Sequence, residues 1–286
     1  MIQVAVFGSV HKANQKELLA PLFDKFNRPD VTLYIEKDFA SALSESGSLP
    51  HSYNVLDLRL LPQMNFAISL GGDGTFLRTA HCIGISETPV LGINMGRLGF
   101  LTELDSSDLS PLDKLFSGKY TVEERTKLQI FADEKLLGEV LNEVAILKRE
   151  TGSIIQVKTF LGEDYLADYD CDGLIISTPT GSTAYSLSIN GPIMMPDSPS
   201  VIINPIAPHT LNMRPLVISD KQIIRLEVES RNNTFLTVLD GETLPLDCST
   251  PVKIQLSPNR VRVVKLGNRS WPEMLRRKLM WGASVR

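Results

Sequence analysis

Short apolar runs alternate with helix-spaced stretches in the first third of the chain, and the alternation stops near residue 105. Residues 2–7, 31–35, 66–70 and 90–93 are compact apolar or β-branched runs, and 14–27 carries the spacing of a helix. Strand–helix alternation predicts a parallel sheet with helices on its faces. From about residue 125, strand follows strand. The runs are 128–131, 144–147, 154–161, 174–177, 201–203, 223–228, 235–239, 252–256 and 261–266, separated by turns that are polar or carry Gly and Pro. That texture predicts an all-β portion of two packed sheets. In 272–281, Met274, Leu275, Lys278, Leu279 and Trp281 stand at helical spacing with Gly282 just behind, which predicts a closing helix packed on a domain surface.

Composition narrows the class. The chain has 286 residues, 43% hydrophobic, enough for one large core or two modest ones. Twenty-nine Lys and Arg against 33 Asp and Glu leave a formal charge of −4, which points to neither nucleic acid nor a membrane surface as partner. Cys82, Cys171 and Cys248 are odd in number and lack a CxxC spacing, so neither a disulfide framework nor a zinc site is expected. The start has no basic residues ahead of its apolar ones, and no apolar run is long enough to span a membrane. A soluble, cytoplasmic protein is the expectation.

The candidate chemistry begins at Gly71-Gly72-Asp73-Gly74-Thr75, which interrupts the apolar run 66–70 just before helix-like Phe76, Leu77 and Ala80. Adjacent glycines let backbone approach a bulky ligand, and N–H groups at a helix start seat phosphate. Asp73 would be repelled by phosphate, so its presence needs a reason. Taking the proton of a hydroxyl that attacks phosphate is one. A tight Asp-Gly turn between two elements is another, and these five residues alone do not separate the two.

A second cluster runs from Asp170 to Ser188, where an apolar strand leads into Thr178-Pro179-Thr180-Gly181-Ser182-Thr183-Ala184-Tyr185. Its hydroxyls suit a sugar, an amide or a base edge, and they equally suit a capped strand-to-helix junction. Asn142-Glu143 heads the strand at 144–147 and carries no signal by itself. The chain has neither GxxxxGK[ST] nor GxGxxG.

Together, GGDGTFLRTA (71–80), GINMGRLGFLTEL (92–104), NEVAILKR (142–149), DGLIISTPTGSTAYSLS (172–188), PIAPHTLNMRPLVI (205–218) and DGE (240–242) resemble the NAD kinase family in order and spacing, over nearly the whole chain. GGDGT is shared with lipid kinases and phosphofructokinases; the Asn-Glu pair with TPTGSTAYS is specific. The resemblance implies an α/β N-terminal domain with a Rossmann-like parallel sheet and an all-β sandwich C-terminal domain, with the C-terminal helix packing back on the first. By residue, 1–105 would be the ATP side carrying GGDGT. Residues 106–266 would be the NAD-binding and oligomerisation domain, and 267–286 the returning helix. The implied reaction moves the γ-phosphoryl group of ATP to the 2′-hydroxyl of the adenosine ribose of NAD, giving NADP, with Mg²⁺.

The resemblance also implies roles. Asp73 would be the base, and Gly71, Gly72 and Gly74 would let phosphate lie on backbone, with Arg78 on the same helix. Asn142 and Glu143 would hold the adenosine half, Asp172 and Ala207 the nicotinamide half. Thr180 and the run Thr183, Ala184, Tyr185, Ser186, Leu187 and Ser188 would close over the dinucleotide. No residue is expected to hold a resident metal. A homodimer or homotetramer is implied, with no nucleic-acid or membrane partner. Three positions depart from the family pattern. Asp170 replaces an Arg or small residue and leaves NAD against NADH open, its charge favouring cationic NAD. Glu242 replaces a common Gln near the bound nucleotide, and Ser153 a basic or imidazole side chain. Arg97 and Arg214 are further candidate phosphate-binding cations, His209 lies in a family loop, and His11, His51 and His81 read as surface or packing residues. A GGDGT-type lipid kinase and a non-catalytic NADP-sensing module are the rival readings.

Overall fold

The apolar runs of the first third become parallel strands. The computed structural model describes residues 1–96, 99–150, 152–267 and 270–282. The chain opens with β1 (Ile2–Gly8), α1 (Lys16–Phe26), β2 (Val31–Ile35), α2 (Lys37–Ser46), β3 (Asn54–Val55), β4 (Phe66–Gly71), α3 (Asp73–Ile83), β5 (Val90–Asn94), β6 (Leu104–Asp105) and α4 (Leu112–Phe116). Strand order is β5-β4-β1-β2-β3, parallel throughout, with β6 beside β5. Every residue of β4 and β5 is buried, as a strand covered on both faces requires. Helix α3 buries Phe76, Thr79, Ala80 and Ile83, one stripe at helical spacing. Helix α2 was not anticipated: its stripe is narrow, only Phe39, Ala40 and Leu43. Its ends are well marked all the same, by the Glu36 carboxylate accepting from the Asp38 and Phe39 N–H groups and by left-handed Gly47.

β7 (Thr121–Ala132) takes the chain into a second unit, residues Arg125–Arg260. There follow β8 (Lys135–Val140), β9 (Glu143–Lys148), β10 (Ile155–Leu161), β11 (Asp164–Cys171), β12 (Gly173–Ser177), α5 (Tyr185–Ser188), β13 (Ser200–Ile206), β14 (Leu216–Ser219), β15 (Ile224–Ser230), β16 (Thr234–Leu239) and β17 (Glu242–Asp247). One antiparallel sheet has the order β14-β13-β12-β9-β16-β17. The other, within this unit, contains β11, β10 and β15 with β7 and β8. Val144, Ile146, Leu174, Ile176 and Phe235 of the first sheet share a core with Leu128, Val157, Leu226 and Ile254, so the unit is the expected sandwich.

β18 (Val252–Lys265) returns the chain to the first unit, which comprises Met1–Glu124 and Val261–Arg286. The runs 252–256 and 261–266 are thus one strand and not two. Ser257-Pro258-Asn259 looks like a turn in sequence, but the Ser257 hydroxyl and the Asn259 amide both bond the Glu139 carboxylate and keep the strand going. In the first unit Val263 pairs with Val90, and buried Glu103 takes the Lys265 ammonium at 2.5 Å and the Leu266 N–H at 3.0 Å. α6 (Trp271–Leu279) closes the chain in this unit with Met274 and Leu275 buried.

The end of β1 is packed to its limit. A Cβ on Gly8 would fall 2.2 Å from the ring of Phe39, which is fully buried. Gly8→Ala is therefore expected to cost ~1–3 kcal/mol in urea unfolding, the usual penalty of overpacking, and Phe39→Leu in the same chain should restore part of it. An unchanged midpoint for Gly8→Ala would mean that Phe39 has room to move aside.

Candidate functional site

In the first unit the glycine-rich run joins β4 to α3 with one residue between them, so the helix begins at Asp73 with Gly72 as its cap. Its three glycines, together with Gly99, do two different jobs. A Cβ on Gly71 would lie 2.2 Å from Thr75 Oγ1, and one on Gly99 would lie 2.0 Å from the Asp73 carboxylate, so these two glycines allow the loops to pack on themselves. Gly72 and Gly74 face open space, with nothing within 4 Å of an added Cβ. A ligand can reach the backbone there, where the N–H groups of the first turn have no partner within the helix. The Asp73 carboxylate accepts from the Phe100 N–H at 2.9 Å and the Leu101 N–H at 3.0 Å, which ties GGDGT to the segment after β5. That segment is held further by the Glu103 N–H on the Gly92 carbonyl at 2.9 Å. Arg78 donates to the Gly8 carbonyl at 2.5 Å and lies 3.8 Å from the Glu36 carboxylate, with 41% of its side chain exposed.

In the second unit Asn142 and Glu143 stand where β9 begins, at the centre of its sheet. The Asp240 carboxylate accepts from the Leu141, Asn142 and Glu143 N–H groups at 2.6, 2.9 and 3.1 Å. The Thr178 N–H bonds the Asn142 carbonyl at 2.9 Å from the other side. Glu143 Oε2 is buried without a hydrogen-bond partner among the described residues. Burial, and then the charge of Asp240, push the Glu143 carboxyl up to about 8, while the Tyr185 N–H pulls the other way.

The hydroxyl-rich run after β12 turns largely inward. Thr178 donates to the Leu141 carbonyl at 2.5 Å, Ser182 to the Pro179 carbonyl at 2.7 Å and Thr183 to the Thr180 carbonyl at 3.2 Å. Ser186 is fully buried and accepts from the Asn204 amide. Thr180 is buried too, and its Oγ1 has no partner among the described residues. Thr183, Ala184 and Leu187 are half-buried, while Tyr185 and Ser188 are exposed. The density of hydroxyls thus serves first to staple this loop to the start of β9. Gly181 belongs to the same staple, since a Cβ there would lie 2.2 Å from the Asn142 carbonyl oxygen.

Asp172 follows β11 and is paired with the Lys148 ammonium at 2.6 Å, a partner the sequence reading did not name. Its N–H bonds the Ile206 carbonyl at 3.0 Å, next to Ala207, whose φ of +45° is a strained left-handed conformation for a residue with a Cβ. Lys148, Gly152, Ser153, Ile154, Asp172, His209 and Arg231 line an open cleft of about 610 Å³. Asp170 accepts from the Gln156 amide at 3.0 Å. Glu242 is exposed at the start of β17. Arg214 donates to its own loop, to the Leu211 and Met213 carbonyls. Arg97 lies outside the described residues. A more enclosed cavity of about 330 Å³, under residues 47–54 of the first unit, is lined by none of the motif residues. Among the described residues no three of His, Cys, Asp and Glu converge as a metal-binding group, and no helix is long and apolar enough to cross a membrane.

Residues 37–120 match the model of the ATP-NAD kinase N-terminal domain, and residues 141–266 that of the ATP-NAD kinase C-terminal domain. The chain is 50% identical to the NAD kinase of Porphyromonas gingivalis (strain W83) and 40% identical to that of Bacteroides fragilis (strain NCTC 9343), each over 100% of both chains. Among solved structures it resembles yeast NADH kinase complexed with NADH. The TM-score is 0.90 at 22% identity, over 100% of this chain and 89% of the other, a likeness of fold. It also resembles an NAD kinase from Archaeoglobus fulgidus in complex with ATP, with a TM-score of 0.69 at 25% identity over 94% of each chain.

The buried Glu143 carboxyl makes stability depend on pH. Between its ordinary value of 4.5 and about 8, the folded protein holds a proton here that the unfolded chain releases. Stability contributed by this group is full below that window and falls as pH rises through it, by at most ~1.4 kcal/mol per pH unit. Glu143→Gln cannot ionise, so its stability relative to the parent should climb from about pH 5 to about pH 8 and then level off. Urea unfolding across that range checks it; parallel curves would show an unshifted group.

Proposed function

This chain belongs to the ATP-NAD kinase family and phosphorylates NAD at the expense of ATP; on that premise we propose that Asp73 takes the proton of the attacking hydroxyl. The observation that carries the reading is the pairing of open backbone at Gly72 and Gly74 with a carboxylate fixed at the first position of α3. Phosphoryl transfer asks a protein mainly for positioning and charge stabilisation. Phosphate oxygens lie against the first-turn N–H groups of α3. The 2′-hydroxyl of the adenosine ribose of NAD attacks the γ-phosphorus, its proton passes to Asp73, and the bond to the ADP oxygen breaks, leaving NADP and ADP. Each Asp73 oxygen accepts one N–H and keeps a lone pair for this step. Mg²⁺ would be carried in by ATP and would neutralise phosphate charge, since no group of carboxylates among the described residues converges to hold a resident metal.

Asn142 and Glu143 hold the adenosine half in this reading. The unpartnered Glu143 Oε2 supports it, because leaving a buried polar atom without a partner costs ~1–3 kcal/mol, which a hydroxyl of a bound ligand would offset. Asp172, with Ala207 beside it, receives the nicotinamide half, and Thr180 with 183–188 closes over the dinucleotide. A cytoplasmic location and a homodimer or homotetramer built through the β-rich half belong to the same proposal. The lipid-kinase and sensing-module readings gain no support from the full-length relatives.

A coupled assay of NADP formation tests the base. Asp73→Asn should lower kcat by ~10²–10⁴-fold, while the NAD dissociation constant from calorimetry stays close to the parent's. The amide would also turn an NH₂ toward the Phe100 or Leu101 N–H, so exchange of those amides should quicken. Weakened binding with unchanged turnover would reduce Asp73 to a loop anchor.

Beside the cleft Asp172 is paired with Lys148, and Asp170, two positions upstream and accepting from the Gln156 amide, adds a negative charge near a lining that also carries Arg231. A modest preference for NAD over NADH follows, and it should shrink in Asp170→Asn. Equal kcat/KM for the two forms in the parent enzyme would remove the idea.

A further inference from the structure

We propose that Asp240 is a positioning residue for the dinucleotide, its carboxylate setting the direction in which Asn142 and Glu143 are presented. The inference rests on the reading that this pair holds the adenosine half of NAD. β16 and β17 are joined by two residues, Asp240 and Gly241, with φ of +47° and +96° and Leu239 opposite Glu242. This is a two-residue hairpin of the kind that requires positive φ at both positions. Asn-Gly fills such a turn at least as well as Asp-Gly, so the turn alone does not call for a carboxylate.

The carboxylate answers a different need. Leu141, Asn142 and Glu143 direct three consecutive N–H groups at it, the first to Oδ2 and the other two to Oδ1. The Asp240 N–H in turn donates to the Glu143 carbonyl at 3.2 Å, so the two segments are bound in both directions. Successive N–H groups converging on one anion form a concave, electropositive nest, and charge-assisted bonds of this kind are about twice as strong as neutral ones. With the Thr178 N–H on the Asn142 carbonyl, the pair is gripped on both faces of the strand start. The backbone that carries the two side chains is then fixed before any ligand arrives, which lowers the ordering cost of binding. Burial, and then the same anion beside it, raise the proton affinity of the Glu143 carboxyl.

The test is a comparison of Asp240→Asn, Asp240→Gly and Glu143→Gln in the full chain by steady-state kinetics. Asp240→Asn keeps the hairpin but sets an NH₂ against the Leu141 N–H, and Asp240→Gly keeps the positive φ and removes the acceptor. Each should raise the KM for NAD by about tenfold, ~1.4 kcal/mol, with kcat at saturating NAD and the KM for ATP within about twofold. If Glu143→Gln raises the KM for NAD and neither Asp240 variant does, the positioning role is overturned and the adenosine assignment stands. If none of the three moves it, the assignment itself falls. If kcat and both KM values shift together, or neither Asp240 variant folds, the carboxylate is a requirement of the fold and the proposal is overturned.

Discussion

A carboxylate accepting backbone N–H groups from a distant stretch of chain holds each of the two motif regions in place. Asp73 reaches Phe100 and Leu101, and Asp240 reaches Leu141, Asn142 and Glu143. Both regions sit where strands end and the ladder no longer satisfies the backbone. A buried N–H without an acceptor costs ~1–3 kcal/mol, and an ionised acceptor offsets that more fully than a neutral one. The loops that meet nucleotides therefore inherit order from a few strong bonds, while the sheets behind them are ordered by apolar burial.

The arrangement also separates two kinds of glycine and two kinds of hydroxyl. Gly71, Gly99 and Gly181 are small because the loops close on themselves, whereas Gly72 and Gly74 are small toward open space. Thr178, Ser182 and Ser186 spend their hydroxyls inside the protein, and Thr180 Oγ1 does not. A ligand would meet what is left over, a much shorter set of atoms than the motif suggests by its letters.

The parallel core was legible because β4 and β5 are apolar on both faces and the break at Gly71-Gly72 is abrupt. Strands β11 and β17 were not, since they lie at sheet edges, bury few or no positions and break their apolar residues with Asp, Glu and Thr, with Pro245 tolerated in β17 for the same reason. β8 hides similarly, with mostly exposed or half-exposed positions before Val140. At the site, residue types pointed to GGDGT and to Asn142-Glu143, but not to what orients them. Asp240 was visible as part of an Asp-Gly pair, yet its partners lie 97 to 99 positions upstream, and no local pattern encodes that. Lys148 escaped in the same way: its meaning comes from Asp172, 24 positions later.

The first unit is interrupted in sequence: it is begun by residues 1–124 and completed by 261–286. Val264 and Leu266 fill its core, and the buried Glu103 carboxylate waits for Lys265 and the Leu266 N–H. A chain made only as far as residue 260 therefore carries a parallel sheet without the end of β18 and a Glu103 carboxylate without these two partners. The β-rich unit is contiguous and has its last residues at Arg260, just ahead of the segment that completes the first unit, so it does not depend on that segment to fold. The glycine-rich nucleotide loop, although made early, thus belongs to a unit whose sheet is complete only once the end of β18 has docked.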